Sequence, residues 1–535
     1  MLVRLSQIKV PLEFDFQGLG QKVSQLLGFA LLPQWGLKLV HRSVDARFAG
    51  KPPVFVLSVE LDLPEPWLNQ AESAGAERLD RPTSQPKKSI TLPPGRPRPV
   101  VVGAGPAGLM AALALAEAGL SPLLLERGAP VEERQVQVRS FWQQGQLDED
   151  SNSLYGEGGA GLFSDGKLTS RSKDSLRLRR FLTQLVEAGA SEDILVDAEP
   201  HLGSDQLALI VPKLREKIRR LGGEVRFHSR LDQVFSDQGR VTAIEVKGER
   251  IEAERLVLAT GHSARDVFRL LTQTPAQLEP KPFAIGVRLE LPQEVINRSQ
   301  FKDYAGHPKL GVASFRLTRK EEPGVRACYS FCMCPGGLVI ACASSKGRLT
   351  TNGMSLSKRD LNFGNAAFLA PVRPEDIPRT GDGDPAIWDG YKFQEQIEAK
   401  AFELGGGDYG LPASRLKDFL AGKGTKDLPA ERSNTRAVGA NLHQILPPMI
   451  TQTLAQTIPK MLTQLRGSSL DQVLLYGAET RSSSPIRVTR GEDGQSLGLR
   501  GLFPAGEGAG YAGGIVSAGI DGLKAAEAVL ESYGA

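Results

Sequence analysis

The run Val100-Val101-Val102-Gly103-Ala104-Gly105-Pro106-Ala107-Gly108, followed downstream by Leu123-Leu124-Leu125-Glu126, constrains this chain more than any other stretch. It reads as a buried strand, a glycine turn, a helix, and a second buried strand that ends in an acid. Glycines in such a turn let the backbone approach a pyrophosphate, and the helix N-terminus aims N–H groups and its positive dipole end at it. Ala112 and Gly119 keep the helix thin where it crosses the sheet. Glu126 falls about 20 residues beyond the turn, where an acid accepts hydrogen bonds from a ribose. Gly103, Gly105, Pro106, Ala107, Gly108, Glu126 and its neighbour Arg127 are therefore expected to hold a dinucleotide.

The glycine pattern alone says less. G-x-G-x-x-G occurs four times, starting at Gly103, Gly156, Gly405 and Gly508. Only the first lies between a strand and a helix that leads to a second strand with a terminal acid. The Gly156 match follows the polar run Asp148 to Ser153, and the Gly405 match follows a predicted helix and reads as its C-terminal stop. The Gly508 match follows a strand, with too little chain after it for another helix and strand. One nucleotide fingerprint is present, and the other glycine loops need different jobs.

Length and composition bound the class. A chain of 535 residues suggests about three domains. With 65 basic and 61 acidic residues the net charge is only +4, which argues against nucleic-acid or anionic-membrane partners. The opening MLVRLSQIKVPLEFDF has no uninterrupted apolar core and no small-residue cleavage site, so no signal peptide is expected. The most apolar stretch, Met110 to Leu125, is broken by Glu117 and Gly119 and fits the nucleotide-binding helix and strand better than a membrane span. Four cysteines in so long a chain are not a secreted disulfide framework. The expected class is a soluble cytoplasmic protein.

Along the chain, residues 1–63 read as a small α+β module: a strand over Val3–Leu12, a helix over Gly18–Leu27, and strands over Leu37–Ala46 and Val54–Leu63 turned at Gly50-Lys51-Pro52-Pro53. Residues 64–98 are rich in Pro, Ser, Gln, Lys and Arg and read as a linker. Residues 99–275 form the first part of the nucleotide-binding domain. Helices are expected over Ser175–Gly189 and Pro212–Gly223, and a meander of strands over Glu224–Phe235, Arg240–Val246 and Arg250–Glu254. The buried strand Arg255–Ala259 then runs into Thr260-Gly261. Residues 276–470 form an inserted α+β block with strands near Ile285–Leu291 and Cys328–Cys334 and helices near Lys392–Glu403 and Gln452–Leu465. Residues 471–535 return to the nucleotide-binding domain through strands Asp471–Leu475 and Leu502–Ala505 and a terminal helix, Ile515–Tyr533.

Three separated segments decide the cofactor: the Gly103 turn with Glu126, the strand end at Thr260-Gly261, and Leu502 to Gly514. A plain NAD domain needs only the first. A cofactor with a ribityl chain and a tricyclic ring also needs a polar group from a later strand, and a helix N-terminus beside the ring's pyrimidine edge. Gly506-Glu507, then Gly513-Gly514 and a helix beginning at Ile515, meet that need. The combination resembles the FAD-binding fold of the glutathione-reductase type. The fold class is therefore α/β, a Rossmann-like FAD-binding domain with an inserted α+β substrate domain and a small N-terminal α+β module.

Longer motifs carry a closer resemblance. Gly156-Glu157-Gly158-Gly159-Ala160-Gly161-Leu162-Phe163-Ser164-Asp165-Gly166-Lys167-Leu168 is similar to the loop over the flavin in a bacterial and plastid family of FAD-dependent dehydrogenases. Phe331 to Gly337, Asn352 to Ser355, Glu479 to Pro485 and Gly506 to Gly514 resemble the same family. The match runs from Pro99 to the C-terminus, and the N-terminal module is also similar. Leu162 stands where the family tends to have Thr, and Tyr155 where Phe is common. The resemblance implies FAD as cofactor and places Gly158, Gly159, Gly161, Asp165 and Lys167 near the flavin.

Candidates for chemistry follow. Lys167, Glu157 and Asp165 could move a proton near the flavin or compensate the charge of the reduced ring; the competing reading has the acids cap turns and the lysine solvated. Cys328, Cys332, Cys334 and Cys342 are expected in one hairpin turned at Pro335-Gly336-Gly337. Side chains two apart on one strand face stand too far apart for an unstrained disulfide unless a bulge intervenes. Small buried hydrophobes are thus the favoured reading of Cys332 and Cys334, and flavin-linked thiol chemistry the alternative. No metal site is assigned, since the nearest histidine, His307, lies in another segment. Glu479 and Arg481 are read equally as pairing across the site or as a simple ion pair, and His262 as a hydrogen-bonded structural residue; the run Lys167, Arg171, Lys173, Arg177, Arg179, Arg180 could hold an NADPH phosphate but is better explained as a solvated helix face.

The function expected is an FAD-dependent oxidoreductase acting on a small molecule. A reading from another class is a flavin-stabilised binding or redox-sensing protein without rapid turnover. No second nucleotide-binding βαβ unit follows the first, which argues against a reductant site of the disulfide-reductase kind; NAD(P)H could still act as a donor by stacking transiently on the flavin, and the sequence leaves that open. No substrate motif is recognisable in residues 276–470.

Overall fold

The computed structural model describes residues 1–47, 51–80, 92, 95–170, 172–379, 381 and 383–534. Gly50 of the expected hairpin turn, Arg171 of the basic run and most of the expected linker beyond residue 80 lie outside them.

The N-terminal module is a four-stranded antiparallel sheet in the order Lys38–Asp45, Val54–Asp62, Leu2–Pro11, Ala76–Leu79. Helix Leu19–Leu27 buries Leu19, Val23 and Leu27, spaced four apart on one face, against that sheet. The fourth strand and the short helix Leu68–Ser73 fall in the stretch expected to be a linker. Buried Leu68 and Ala71 and the pairing Leu5↔Ala76 explain the difference: a few apolar residues within a polar, proline-rich context suffice to close the sheet edge.

Five short parallel strands form the nucleotide-binding sheet, in the order Leu502–Pro504, Leu256–Leu258, Val100–Val102, Leu123–Leu125, Glu224–Arg226. The three central strands are wholly apolar and buried, as a sheet covered on both faces requires. Helices Pro106–Glu117 and Ile515–Tyr533 pack together on the sheet. Gly108 permits the tight strand–helix turn, because a Cβ there would lie 1.7 Å from the Gly103 carbonyl oxygen.

The expected strand Glu224–Phe235 is two strands. Glu224–Arg226 is the fifth parallel strand, and Leu231–Asp237 opens the antiparallel meander with Arg240–Val246 and Glu249–Glu252. His228, with φ of 51°, turns the chain between them, a break that alternation of side chains does not reveal. The helix expected from Pro212 begins at Gly203 and carries Pro212 inside it.

The inserted domain is built on a seven-stranded sheet in the order Thr318–Arg319, Cys328–Cys334, Phe363–Val372, Phe283–Pro292, Leu474–Glu479, Pro412–Arg415, Val438–Gly439. The strand expected over Asp471–Leu475 as part of the nucleotide-binding domain is Leu474–Glu479, and it lies here beside Phe283–Pro292. Helices Asp389–Leu404 and Pro448–Leu462 cover the sheet, and Gly405 caps the first as its spacing predicts. The cysteine hairpin does not form. Cys328–Cys334 pairs with Phe363–Val372, while Leu338–Cys342 pairs with Thr350–Met354 in a separate ribbon. Gly336, at φ of 46°, sends the chain out of the sheet instead of back along it.

Candidate functional site

A cavity of ≈ 1730 Å³ opens where the glycine loops converge. Gly103, Gly105, Pro106 and Ala107 line it with Glu126 and Arg127; Gly159, Gly161, Asp165 and Lys167 form a second wall; Thr260 and Gly261 a third. Gly506, Glu507, Gly513, Gly514 and Ile515 close it from the C-terminal side. These loops touch one another through glycine backbone. A Cβ on Gly159 would lie 3.0 Å from Gly105 Cα, and one on Gly508 would lie 2.5 Å from the Gly261 carbonyl oxygen. Separated stretches of sequence are thus drawn together by atoms no other residue leaves room for.

Glu126 works on both sides of the wall. Its carboxylate accepts from the N–H groups of Ala104 at 2.7 Å, Gly128 at 2.9 Å and Gly156 at 3.1 Å, so it fastens the glycine turn to the second loop while facing the cavity. Arg127 lies over the Tyr155 ring at 4.6 Å and pairs with Asp266. Asp165 is buried against Arg359 and Ser355, and the Lys167 ammonium donates to the Met333 carbonyl, so this loop is tied directly to the inserted domain. The lysine is held at the cavity wall and not free in solvent. His262 faces the cavity with Nδ1 3.6 Å from Glu507 and a buried Nε2 that has no partner among the described residues, which differs from the hydrogen-bonded role expected for it.

Four expected site residues do not line the cavity. Gly108 is spent on the turn, Gly158 packs against Leu162, and Cys334 lies behind the wall beneath Cys332, which does line it. Glu157 is wholly buried: its carboxylate accepts from the Val131 N–H at 2.9 Å and pairs with Arg215 at 2.7 Å. Burial pushes its pKa up to about 7. The carboxyl therefore anchors the loop from beneath, away from the cavity lining. Nor do Glu479 and Arg481 pair with each other. Glu479 binds the buried guanidinium of Arg288 at 2.7 Å, and Arg481 binds Glu398 at 2.8 Å. Arg265 reaches the same Glu398 at 3.0 Å, and these two guanidiniums hold its carboxylate well below the usual range despite full burial.

Arg134 is the residue that sequence reading missed. Val131, Arg134, Val138 and Phe141 are the buried residues of helix Val131–Gln144, so an arginine occupies one place in an apolar stripe. Its guanidinium gathers the carbonyls of Asn152 at 2.9 Å, Glu157 at 2.6 Å and Gly159 at 2.9 Å. The loop over the cavity is thereby folded around a buried cation.

The sheet order, the glycine turn and the acid at the second strand end define an α/β dinucleotide-binding protein with an inserted domain built on a mainly antiparallel sheet. Residues 97–279 match the pyridine nucleotide-disulphide oxidoreductase family, and residues 282–482 match the family described as FAD-dependent protein, C-terminal domain-like. A protein of Clostridium beijerinckii, named only as uncharacterized, is 40% identical over 537 residues, covering 100% of this chain and 99% of that one. The chain belongs to this family of FAD-dependent proteins, and its cofactor is FAD. Protein FixC of Escherichia coli K12 is 27% identical over 227 residues, 40% of this chain and 50% of its own. Among solved structures, L-proline dehydrogenase from P. horikoshii is similar at 10% identity and a TM-score of 0.34, covering 82% of this chain and 95% of its own. A geranylgeranyl bacteriochlorophyll reductase-like protein from Thermoplasma acidophilum gives 12% identity and a TM-score of 0.34, covering 82% and 79%.

The cavity suits that cofactor on its own geometry. Gly513 and Gly514 face open space where a Cβ would meet nothing within 4 Å, beside the start of helix Ile515–Tyr533. The orphaned Nε2 of His262 lacks a partner that a polar ligand would supply. Among the described residues no helix is long and apolar enough to cross a membrane.

Proposed function

We propose that this protein is an FAD-dependent oxidoreductase whose flavin lies in the three-loop cavity and whose small-molecule substrate enters from the inserted-domain side. The observation that carries this reading is the convergence of the Gly103, Gly261 and Gly506–Gly514 loops on one cavity that also includes Cys332, Glu479 and Arg481 of the inserted domain. Bound FAD supplies two-electron transfer at its ring. The chain's own residues do the rest. Glu126 receives the ribose hydroxyls, the Pro106 helix N-terminus receives the pyrophosphate, and Glu507 receives a ribityl hydroxyl. The Ile515 helix N-terminus stabilises negative charge at the ring's pyrimidine edge.

Lys167 and Arg359 with Asp165 hold the covering loop against the inserted domain and exclude water from the cavity. NAD(P)H is the proposed reductant, bound transiently because the parallel sheet serves a single dinucleotide fold. The test is an anaerobic mixing experiment on the yellow protein with NADH, NADPH and a panel of metabolites. Flavin bleaching on a turnover timescale, reversed by a specific acceptor, is expected. Indifference to every donor would instead favour a redox-sensing protein without turnover.

A further inference from the structure

We propose that Cys332 and Cys334 form a redox-active dithiol that closes to a disulfide and reopens in exchange with the flavin. The inference rests on FAD occupying the three-loop cavity. A regular strand would keep side chains two apart roughly parallel and separated. This strand is not regular: its register against Phe363–Val372 slips between Phe331 and Cys334, and Cys332 sits at φ of 45°, a left-handed conformation that few residues other than glycine adopt. Such a bulge re-aims a side chain. Here it leaves Cys332 half-buried on the cavity wall and folds the buried Cys334 thiol back onto it, with Cys334 Sγ donating to the Cys332 carbonyl at 3.4 Å. The regular alternation that would keep two such sulfurs apart is broken at this residue.

The surroundings favour a thiolate. Arg288 Nη1 lies 3.8 Å from Cys334 Sγ, and the Lys167 ammonium is fixed on the Met333 carbonyl between the two cysteines. The Cys334 thiol, and then the charges of Arg288 and Lys167, hold Cys332 below the ordinary thiol range, while its partner is held above it. Cys328 and Cys342 show the contrast: burial pushes each up to about 11. One thiol on the cavity wall and a second buried behind it is the arrangement of an attacking and a resolving sulfur. In oxidation the two S–H bonds break and one S–S bond forms. The two electrons and two protons released reduce the bound flavin, and the reverse reaction regenerates both thiols at the expense of reduced flavin.

The experiment uses the full-length, FAD-loaded protein. Anaerobic titration with dithionite should consume twice as many electrons per flavin in the oxidised wild type as in Cys332→Ser or Cys334→Ser. Thiol counting under denaturing conditions should find two fewer free thiols in the oxidised than in the reduced wild type, and mass spectrometry a loss of two hydrogens in a peptide containing both residues. Equal electron uptake in wild type and variants, with an unchanged thiol count, overturns the dithiol. A preparation that binds no FAD overturns the assigned function instead, and equilibration in glutathione redox buffers then reads the thiol pair on its own.

Discussion

Arg134 donates from Nη1 to the main-chain carbonyl of Glu157 at 2.6 Å, while the Glu157 carboxylate turns away to Arg215. The loop over the cavity is therefore pinned by two buried arginines from two helices, one holding its backbone and one its side chain. The backbone contact is the one that shapes the wall, since the same guanidinium also holds Gly159, which touches the glycine turn.

Replacing this cation should be costly. Arg134→Met fills similar space but leaves the carbonyls of Asn152, Glu157 and Gly159 buried without their donor. Lost buried hydrogen bonds of this kind cost about 3 kcal/mol in total. Urea unfolding should show that loss, and FAD occupancy should fall with it. Wild-type occupancy together with wild-type stability would show that the loop holds its shape without Arg134.

Glu126 joins the shape of the loops to the binding of the cofactor. Its carboxylate already serves three backbone N–H groups and presents its remaining acceptor capacity to the cavity. Glu126→Arg places a cation against those donors and against the ribose, and should yield mostly apoprotein. The absorbance ratio of flavin to protein after gel filtration measures it. Full occupancy in the variant would remove Glu126 from the ribose site.

What could be read from the residues alone divides along physical lines. The parallel strands, the glycine turn and helix Ile515–Tyr533 were legible because each is local: a run of apolar residues, a turn chemistry, a helical period. Where the reading failed, the deciding atoms are far apart in the chain. Glu224–Arg226 joins the parallel sheet through Leu123–Leu125, and Cys328–Cys334 finds its partner in Phe363–Val372. The pairings Arg288 with Glu479 and Arg481 with Glu398 are likewise choices among distant charges that no spacing encodes. Arg134 was legible in principle, as a charge set in an apolar stripe. The bulge at Cys332 was not, because left-handed backbone at a cysteine leaves no mark in sequence.

The pH dependence of stability should carry the signature of Glu157. A carboxyl whose pKa is raised on folding contributes stability below its unfolded pKa and loses that contribution as pH rises through the folded value. For Glu157 the window runs from 4.5 to about 7, with burial as the main cause, and its Oε1 is a buried atom without a hydrogen-bond partner among the described residues. Wild type should therefore lose on the order of 1 kcal/mol or more between pH 5 and 8 relative to Glu157→Gln, which cannot ionise. Glu398 acts in the opposite direction and at lower pH, because Arg265 and Arg481 keep its carboxylate ionised. Parallel stability profiles for wild type and Glu157→Gln across that range would show that Arg215 keeps Glu157 charged throughout.

The loop contacts make a last prediction about how the cavity is assembled. Gly508 does not face the cavity; it packs on Gly261, and a Cβ there would lie 2.5 Å from one backbone atom and 2.6 Å from another. All the atoms it would meet belong to the Gly261 backbone, which cannot move aside as a flexible side chain would. Gly508→Val must therefore push the C-terminal loop away from Thr260-Gly261, at a cost of roughly 1–3 kcal/mol for an overpacked contact. The displacement carries Glu507 away from His262 and opens the wall that Gly513 and Gly514 complete. FAD affinity should fall about tenfold or more, since 1.4 kcal/mol is a factor of ten in a binding constant. The N-terminal module has its own buried core and should keep its protease resistance. Fluorescence titration of apoprotein with FAD measures the first effect and limited proteolysis the second. Unchanged affinity in a stable Gly508→Val protein would mean that the C-terminal loop can shift without the cofactor sensing it, and the loop would then have to be removed from the binding site.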